Sequence, residues 1–146
     1  MKTNPALALL DRALGTWTVT GSHPFFPGRT LRGKVTFERI EGGAFLRMYS
    51  KMEDPEFPEG VAVFGTDGDD ETCTMLYFDE RGVSRKYDVA LRADGFTWSR
   101  DSPKFAQRFR VTIADDGRRM ESEGTMKKDG GAWEPDLRLS YVRVEP

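Results

Sequence analysis

The stretch Gly15-Thr16-Trp17-Thr18-Val19 decides the fold of this chain. A glycine ends the helical segment before it, because glycine readily adopts the backbone conformation that terminates helices. An alternating strand then begins at a large aromatic residue, and strands and turns follow almost to the last residue. We therefore predict an all-β protein with one short helix at its N-terminus.

The residues before this stretch have the features of a short amphipathic helix. Asn4 can cap the helix, and Pro5 suits its first position because the N–H that proline lacks has no helical partner there. Leu7, Leu10 and Leu14 follow at helical spacing and form one apolar stripe. We predict that this helix covers one end of the protein body.

The rest of the chain alternates between polar and apolar residues, with turn signals between short segments. The clearest segment is 31–38, where Leu31, Val35 and Phe37 alternate with charged or hydroxylated residues. The predicted strands cover residues 17–20, 31–38, 44–53, 61–65, 72–78, 83–91, 96–100, 105–113, 119–126 and 137–144. Many short strands without further helices indicate an antiparallel up-and-down β-barrel, or a sandwich, rather than an α/β fold.

Length and charge restrict the organisation and the partners. The 146 residues suit a single domain over 1–146, which is large enough to bury a core without disulfides. A net charge of −2 argues against binding to nucleic acid or to an anionic membrane surface. The apolar run 6–10 is too short for a signal peptide or a membrane span. We expect a cytoplasmic protein.

Few residues could hold a metal ion. One cysteine and one histidine exclude an internal disulfide and a His-rich metal site. Asp67, Asp69 and Asp70 are close in sequence, but they lack the trailing glutamate of a calcium loop and fit a hairpin turn. No metal site is predicted.

The short helix, the Gly15-Thr16-Trp17 motif and the strands after it resemble the calycin superfamily of lipocalins and fatty-acid-binding proteins. In that superfamily an arginine near the end of the last strand packs over the tryptophan and closes one end of the barrel. The resemblance implies that Trp17 and Arg143 are this closure pair. In an antiparallel barrel the end of the last strand also lies beside the beginning of the first, so the two can stack for about 0.5–2 kcal/mol.

The likeness extends to small bacterial lipocalin-like proteins of unknown function, which implies a bacterial source, and to the haem-binding nitrobindins. Nitrobindins ligate haem iron through a histidine near the C-terminus. The single histidine here, His23, lies in the first long loop. We therefore predict no haem and no other cofactor.

Polar residues on otherwise apolar inward faces point to a ligand. They are Arg85, Tyr87, Gln107, Tyr141 and Arg143. A buried guanidinium without a partner is unfavourable by several kcal/mol, so each arginine needs a carboxylate, an aromatic face, water or a ligand anion. Fatty-acid-binding proteins hold a carboxylate with an Arg-x-Tyr pair on the last strand. Here that pair occurs on the sixth predicted strand, as Arg85-Lys86-Tyr87, and the last strand carries the reversed Tyr141-Val142-Arg143.

We predict that a small apolar or amphipathic molecule binds inside the barrel. In one version of this hypothesis the molecule has an anionic head. Arg85, Tyr87 and Gln107 would hold its head. The remaining predicted lining residues are Phe37, Met48, Trp98, Phe109 and Tyr141. In the simpler interpretation Arg85 lies at a strand end with its head in water, and the tyrosines are core residues.

Two other functions remain open at this point. The first is an enzyme that uses the same cavity on a hydrophobic metabolite, as an isomerase, cyclase or hydrolase, with His23, Tyr87, Glu38 or Glu53 as acid or base. No sequence motif identifies a catalytic nucleophile with its base, and we predict no catalytic residue. The second is a non-catalytic interaction protein with a packed barrel that pairs through an exposed sheet face. A homodimer is compatible with all three.

Overall fold

A computed structural model describes residues 3–67 and 72–145, and the prediction of an antiparallel barrel is confirmed. Ten antiparallel strands close in the order β1-β10-β9-β8-β7-β6-β5-β4-β3-β2, so that consecutive strands are neighbours and β10 pairs with β1. The strands are β1 (Gly15–Ser22), β2 (Leu31–Ile40), β3 (Phe45–Met52), β4 (Gly60–Thr66), β5 (Cys73–Asp79), β6 (Ser84–Arg92), β7 (Gly95–Arg100), β8 (Phe105–Ile113), β9 (Arg119–Lys128) and β10 (Glu134–Arg143). The predicted turn at Asp69 and Asp70 lies outside the described residues.

The N-terminal helix is a 3₁₀ helix over Pro5–Ala13, capped by the Asn4 side chain, which accepts a hydrogen bond from the Ala6 N–H at 3.0 Å. Its buried residues are Leu7, Leu10 and Ala13. Leu14, the third member of the predicted stripe, lies one residue beyond the helix and is half-buried against the core. Ala13 takes the third buried position of the helix, because a 3₁₀ helix repeats every three residues. Within the described chain, no helix is long and apolar enough to cross a membrane.

The strand boundaries differ from the prediction by up to three residues, and β1 and β10 show the differences that matter for the site. β1 begins at Gly15, which was expected only to end the helix, and continues to Ser22, inside the predicted loop. β10 begins at Glu134 instead of residue 137, and a register shift between Pro135 and Arg138 interrupts its pairing with β9. A shift of this kind inserts an extra residue into one strand and re-aims its side chains.

The up-and-down connectivity gives the barrel two different ends. The helix contacts β4, β6 and β7 and covers the end where β1 begins and β10 ends, which we call the floor. The loops after β1, β3, β5, β7 and β9 all lie at the opposite end, which we call the mouth. The floor is tightly packed: the exposed fraction is 0% for Leu7, Trp17, Leu46 and Phe64.

Candidate functional site

The floor is closed by a contact between the two ends of the sheet. Trp17 and Arg143 are register partners, and the Arg143 guanidinium carbon lies 4.2 Å from the centre of the indole. Arg143 also donates hydrogen bonds to the carbonyls of Arg12 (2.7 Å), Gly117 (2.9 Å) and Leu14.

Gly15 makes room for this contact. A Cβ atom there would lie 2.7 Å from a guanidinium nitrogen of Arg143, and the φ of +120° strains any other residue. The motif that opens β1 therefore has a steric function as well as a conformational one.

A row of buried hydrogen bonds crosses the interior near the mouth. The Tyr87 hydroxyl donates to Gln107 Oε1 at 2.6 Å, and Gln107 Nε2 donates to Asp136 Oδ2 at 2.9 Å. His23 Nε2 lies 3.1 Å from Asp136 Oδ1, and the Leu137 N–H also donates to that oxygen, at 2.7 Å. We call the four side chains of Tyr87, Gln107, Asp136 and His23 the polar row.

The hydrogen bonds fix the tautomer of His23. Its Nδ1 accepts the N–H of Phe25 at 3.1 Å, so that the ring proton of the neutral imidazole is on Nε2 and is donated to Asp136. Both ring nitrogens are thereby engaged. The predicted role of His23 as a general base has no free nitrogen available in this arrangement.

The bulge in β10 places Asp136 in the polar row. Simple alternation from Leu137, Leu139 and Tyr141 directs residue 136 to the outer face, but the register shift turns it inward, where it is 7% exposed. Asp136 was therefore not among the site residues predicted from the sequence. Pro135 is the one signal that could have revealed it, because a proline within a strand pattern marks an edge or a bulge.

Two guanidiniums lie beside the polar row. Arg85 on β6 and Arg100 on β7 are placed over the same ring, with their guanidinium carbons 5.0 and 5.9 Å from the centre of Phe105. Neither forms an ion pair within residues 3–67 and 72–145. Burial raises the pKa of Tyr87, and the nearby charges of Arg85 and Arg100 partly oppose this. Arg100 and Phe105 were not among the predicted site residues.

Aromatic contacts form the wall beside the guanidiniums. Trp98 stacks on Tyr87 with ring centres 5.5 Å apart, and it meets the edge of Phe109 at 5.2 Å. The indole Nε1 of Trp98 is buried and has no hydrogen-bond acceptor among the described residues. Such a group is rare in proteins and points to an acceptor supplied from elsewhere.

The inward-facing side chains of the barrel are not equally buried. Several of them keep 6–9% of their surface exposed, in contrast to the fully buried floor. They are Met48, Tyr87, Val89, Gln107, Phe109, Asp136, Leu139 and Tyr141. We call the part of the interior that these residues and Trp98 line the chamber.

Most of the predicted site residues lie around the chamber, but one does not. Phe37 is 2% exposed and packs edge-to-face on Phe96, with ring centres 6.5 Å apart, in the floor. Tyr141 packs against Trp17 at 6.4 Å at the lower boundary of the chamber, where burial raises the pKa of its hydroxyl. Arg85, Tyr87, Trp98 and Gln107 are brought together at the mouth.

The mouth itself is covered by the first long loop. His23 and Phe26 pack on Phe57 from the loop after β3, with ring centres 6.2 and 5.0 Å apart. Arg29 ties the two loops together through ion pairs with Asp54 and Glu56. His23 thus links this cover to the polar row.

Two grooves lie on the outer wall. One of about 630 Å³ runs over β7 to β10 beside the bulge, with Arg108, Arg110 and Arg138 on its outer side, and it reaches Trp98, Phe109 and Asp136 of the chamber through the wall at the bulge. The other, of about 480 Å³, runs over β1 to β3 and includes Glu53. Glu38 is also on the outer wall, in an ion pair with Arg47. Neither glutamate that was considered as an acid or base faces the chamber.

No family model and no curated protein matches the sequence. Solved structures do resemble it. The crystal structure of Rv2717c from M. tuberculosis has a TM-score of 0.71 and 14% identity, covering 99% of this chain and 100% of that one. At this identity the likeness shows the fold alone, a closed antiparallel β-barrel. The S-type phycobiliprotein lyase CPES from Guillardia theta has the same kind of barrel, with a TM-score of 0.62 and 11% identity over 95% of this chain and 92% of its own.

Proposed function

We propose that this lipocalin-like barrel binds a small amphipathic molecule with an anionic head in the chamber. The observation that carries the proposal is the set of cationic and donor groups at the mouth. The guanidiniums of Arg85 and Arg100 have no carboxylate partner among the described residues, and the buried N–H of Trp98 has no acceptor there. A carboxylate or a similar anion would satisfy two cations and a neutral donor together.

The hydrogen bonds of the polar row orient the side chains at the site and are made within the protein. The amide of Gln107 uses its oxygen for Tyr87 and its nitrogen for Asp136, so that it positions these two side chains. The Tyr87 hydroxyl gives its proton to Gln107 and therefore offers a ligand only its lone pairs. In this proposal Arg85 and Arg100 hold the anion, which revises the role expected for Gln107.

The apolar part of the ligand would lie on the aromatic and thioether side chains below the guanidiniums. Trp98, Phe109 and Met48 provide this surface, and methionine adapts readily to varied apolar guests. The lyase from Guillardia theta acts, by its name, on a phycobiliprotein, and its barrel is similar to this one. That likeness is consistent with a ligand inside the barrel here, while the chemistry of the mouth supplies the anionic head.

The enzyme alternative gains no separate support. A general base needs a free proton-accepting group beside the ligand. His23 has both ring nitrogens engaged, and the pKa of Tyr87 is raised rather than lowered. Binding is therefore the function that the geometry of the chamber favours.

A displacement assay tests the proposal. The fluorescent probe 1-anilinonaphthalene-8-sulfonate is bound to the wild-type protein and displaced with decanoate or with decanol, which share an apolar tail. We expect decanoate to compete about tenfold better or more, because charge-assisted hydrogen bonds contribute about 1.5–3 kcal/mol each. Native mass spectrometry of freshly purified protein is the second measurement, and it should show a retained small molecule.

Two variants make the assay specific. Arg85→Gln and Arg100→Gln should each reduce the preference for decanoate, while Arg92→Gln should leave it unchanged. Arg92 is the matched control because it lies on β6 as well, at the floor end and exposed. Equal competition by decanoate and decanol, or an unchanged preference in Arg85→Gln, would show that the mouth does not select an anion.

A further inference from the structure

The outer wall of the barrel carries an apolar surface that is separate from the chamber. β4 is apolar on both of its faces: Ala62 and Phe64 are fully buried inside the barrel, and Val61 and Val63 point outward. β5 repeats this pattern, with Met75 inside and Leu76 and Phe78 outside. Strands that are apolar on both faces are typical of sheets covered on both sides.

The outward side chains of three neighbouring strands form one continuous surface. We call it the outer apolar face, and it consists of Phe45, Tyr49, Val61, Val63, Leu76 and Phe78. Tyr49, Val61 and Phe78 form one row across the strands, since Tyr49 pairs with Val61 and Val61 with Phe78. Arg47, Val63 and Leu76 form the next row. The remaining aromatic ring, of Phe45, lies against Gly65 on β4.

The exposed area is that of an interface core. The four largest side chains are 39% (Phe45), 37% (Tyr49), 45% (Leu76) and 44% (Phe78) exposed. If each of these side chains has a total surface of about 200 Å², their exposed parts together make roughly 300 Å² of contiguous apolar surface. Patches of this size on a monomer commonly mark interaction sites, and a stable interface of about 800 Å² per partner needs an apolar core with a polar rim.

Two opposite charges lie at the rim in one row. Glu38, beside Arg47 on the β2 side, and Lys86, beside Leu76 on the β6 side, extend this row in opposite directions. A two-fold axis parallel to β4 in the plane of the interface places β3 on β5 of the second copy. It also brings Glu38 of one copy towards Lys86 of the other, which favours self-association.

We propose that the outer apolar face binds a second copy of this chain, as a two-fold dimer with β4 facing β4. Tyr49 then packs on Phe78 of the second copy, and Val61 and Val63 meet their own equivalents on the axis. The Arg47 stem covers the second Leu76 while its guanidinium keeps the ion pair with Glu38. Such a dimer covers the side of β4 and β5 that the barrel itself leaves exposed.

Sedimentation velocity over a range of protein concentrations tests the proposal. The molar mass of the wild-type protein from sedimentation should be twice the 16.5 kDa of the chain. Val61→Glu should weaken the dimer by about 100-fold or more, because it places two carboxylates against each other on the two-fold axis. Val142→Glu is the matched control: Val142 is 43% exposed on β10, outside the outer apolar face, so this variant should remain dimeric.

A cross-link tests the position of the axis. Facing sheets lie about 10 Å apart, too far for a direct disulfide, so a short bismaleimide is used as the cross-linker. Val63→Cys should be linked into a dimer, whereas Val142→Cys should not, and the buried Cys73 should stay inert because burial raises the pKa of its thiol to about 11. Unchanged thermal unfolding of Val61→Glu would show that its barrel is intact. A monomeric wild-type protein, a dimer insensitive to Val61→Glu, or equal cross-linking of the two cysteine variants would each overturn the proposal.

Discussion

At the scale of single residues, Arg143 joins parts of the chain that are far apart in sequence. Its guanidinium stacks on Trp17 and donates to the carbonyls of Arg12, Leu14 and Gly117. Lysine has neither the planar face nor the fork of donors that this set of contacts requires. The contribution of Arg143 to stability therefore depends on its geometry more than on its charge.

We predict that Arg143→Lys lowers the free energy of unfolding by about 2–4 kcal/mol, from the lost stacking and the lost charge-assisted hydrogen bonds. Urea denaturation measures the change. Arg119→Lys is the control, since Arg119 is exposed on β9, and it should stay within about 0.5 kcal/mol of the wild type. A midpoint for Arg143→Lys equal to that of Arg119→Lys would contradict the closure role.

His23 allows a second test at this scale, because it is the only histidine and its ring signals need no assignment. We expect ¹⁵N NMR at neutral pH to show a proton on Nε2 and none on Nδ1, as the hydrogen bonds to Asp136 and Phe25 require. In Asp136→Ala the ring loses its acceptor, and the signals should move towards those of a free imidazole. A proton on Nδ1 in the wild type would contradict the hydrogen bond from the Phe25 N–H and the orientation of His23 in the polar row.

At the scale of elements, the N-terminal 3₁₀ helix contributes apolar burial to the floor. Leu10 is 1% exposed and its neighbour Leu9 is 46% exposed, so the two leucines form a natural matched pair. We predict that Leu10→Ala destabilises the protein by about 2–5 kcal/mol, from the lost burial and the cavity that remains. Thermal or urea unfolding of both variants checks this. Leu9→Ala should lie within about 0.5 kcal/mol of the wild type, and similar effects of the two changes would mean that the helix does not pack as described.

The end of β5 gives an expected pH dependence. Hydrogen bonds from Arg81 lower the pKa of Asp79 from 3.8 to about 2, although burial acts in the opposite direction. Because the folded-state pKa is below the unfolded one, the stabilisation is complete above the ordinary pKa and is lost as the pH falls from about 4 towards 2.

Asp79→Asn removes this titration, so its free energy of unfolding should fall less steeply between pH 4 and pH 2 than that of the wild type. Urea unfolding at a series of pH values gives both slopes, and the difference between the two proteins isolates Asp79 from the other carboxylates. Parallel slopes would show that the Asp79–Arg81 interaction does not contribute to stability.

The elements also show where sequence reasoning succeeds. The alternation of Val35 and Phe37 with polar neighbours predicted the inward face of β2 correctly, because a regular strand has a side-chain period of two. The same rule failed at Asp136, because a bulge adds one residue and reverses the alternation. The missed site residue lies where the strand is irregular.

At the scale of the whole molecule, the chamber and the outer apolar face lie on opposite sides of the barrel wall. Since they share no side chain, we predict that they act independently. Val61→Glu should bind decanoate with an affinity within about twofold of the wild type, and Arg85→Gln should sediment as the wild type does. Displacement of the probe and sedimentation velocity measure the two properties. Loss of ligand binding in Val61→Glu would show that the sites are coupled.

The sequence alone determined the strand count and the capping helix, because periodicity and turn residues act over short distances. The pair of Trp17 and Arg143 was implied by the resemblance to the calycins and agrees with antiparallel connectivity. Only the tertiary structure decided that His23, Asp136, Gln107 and Tyr87 form one row, that Arg100 joins Arg85, and that Phe37 belongs to the floor. These residues come from distant strands and loops. Their meeting depends on register, on a bulge and on the level of each residue along the barrel axis, which no local pattern encodes.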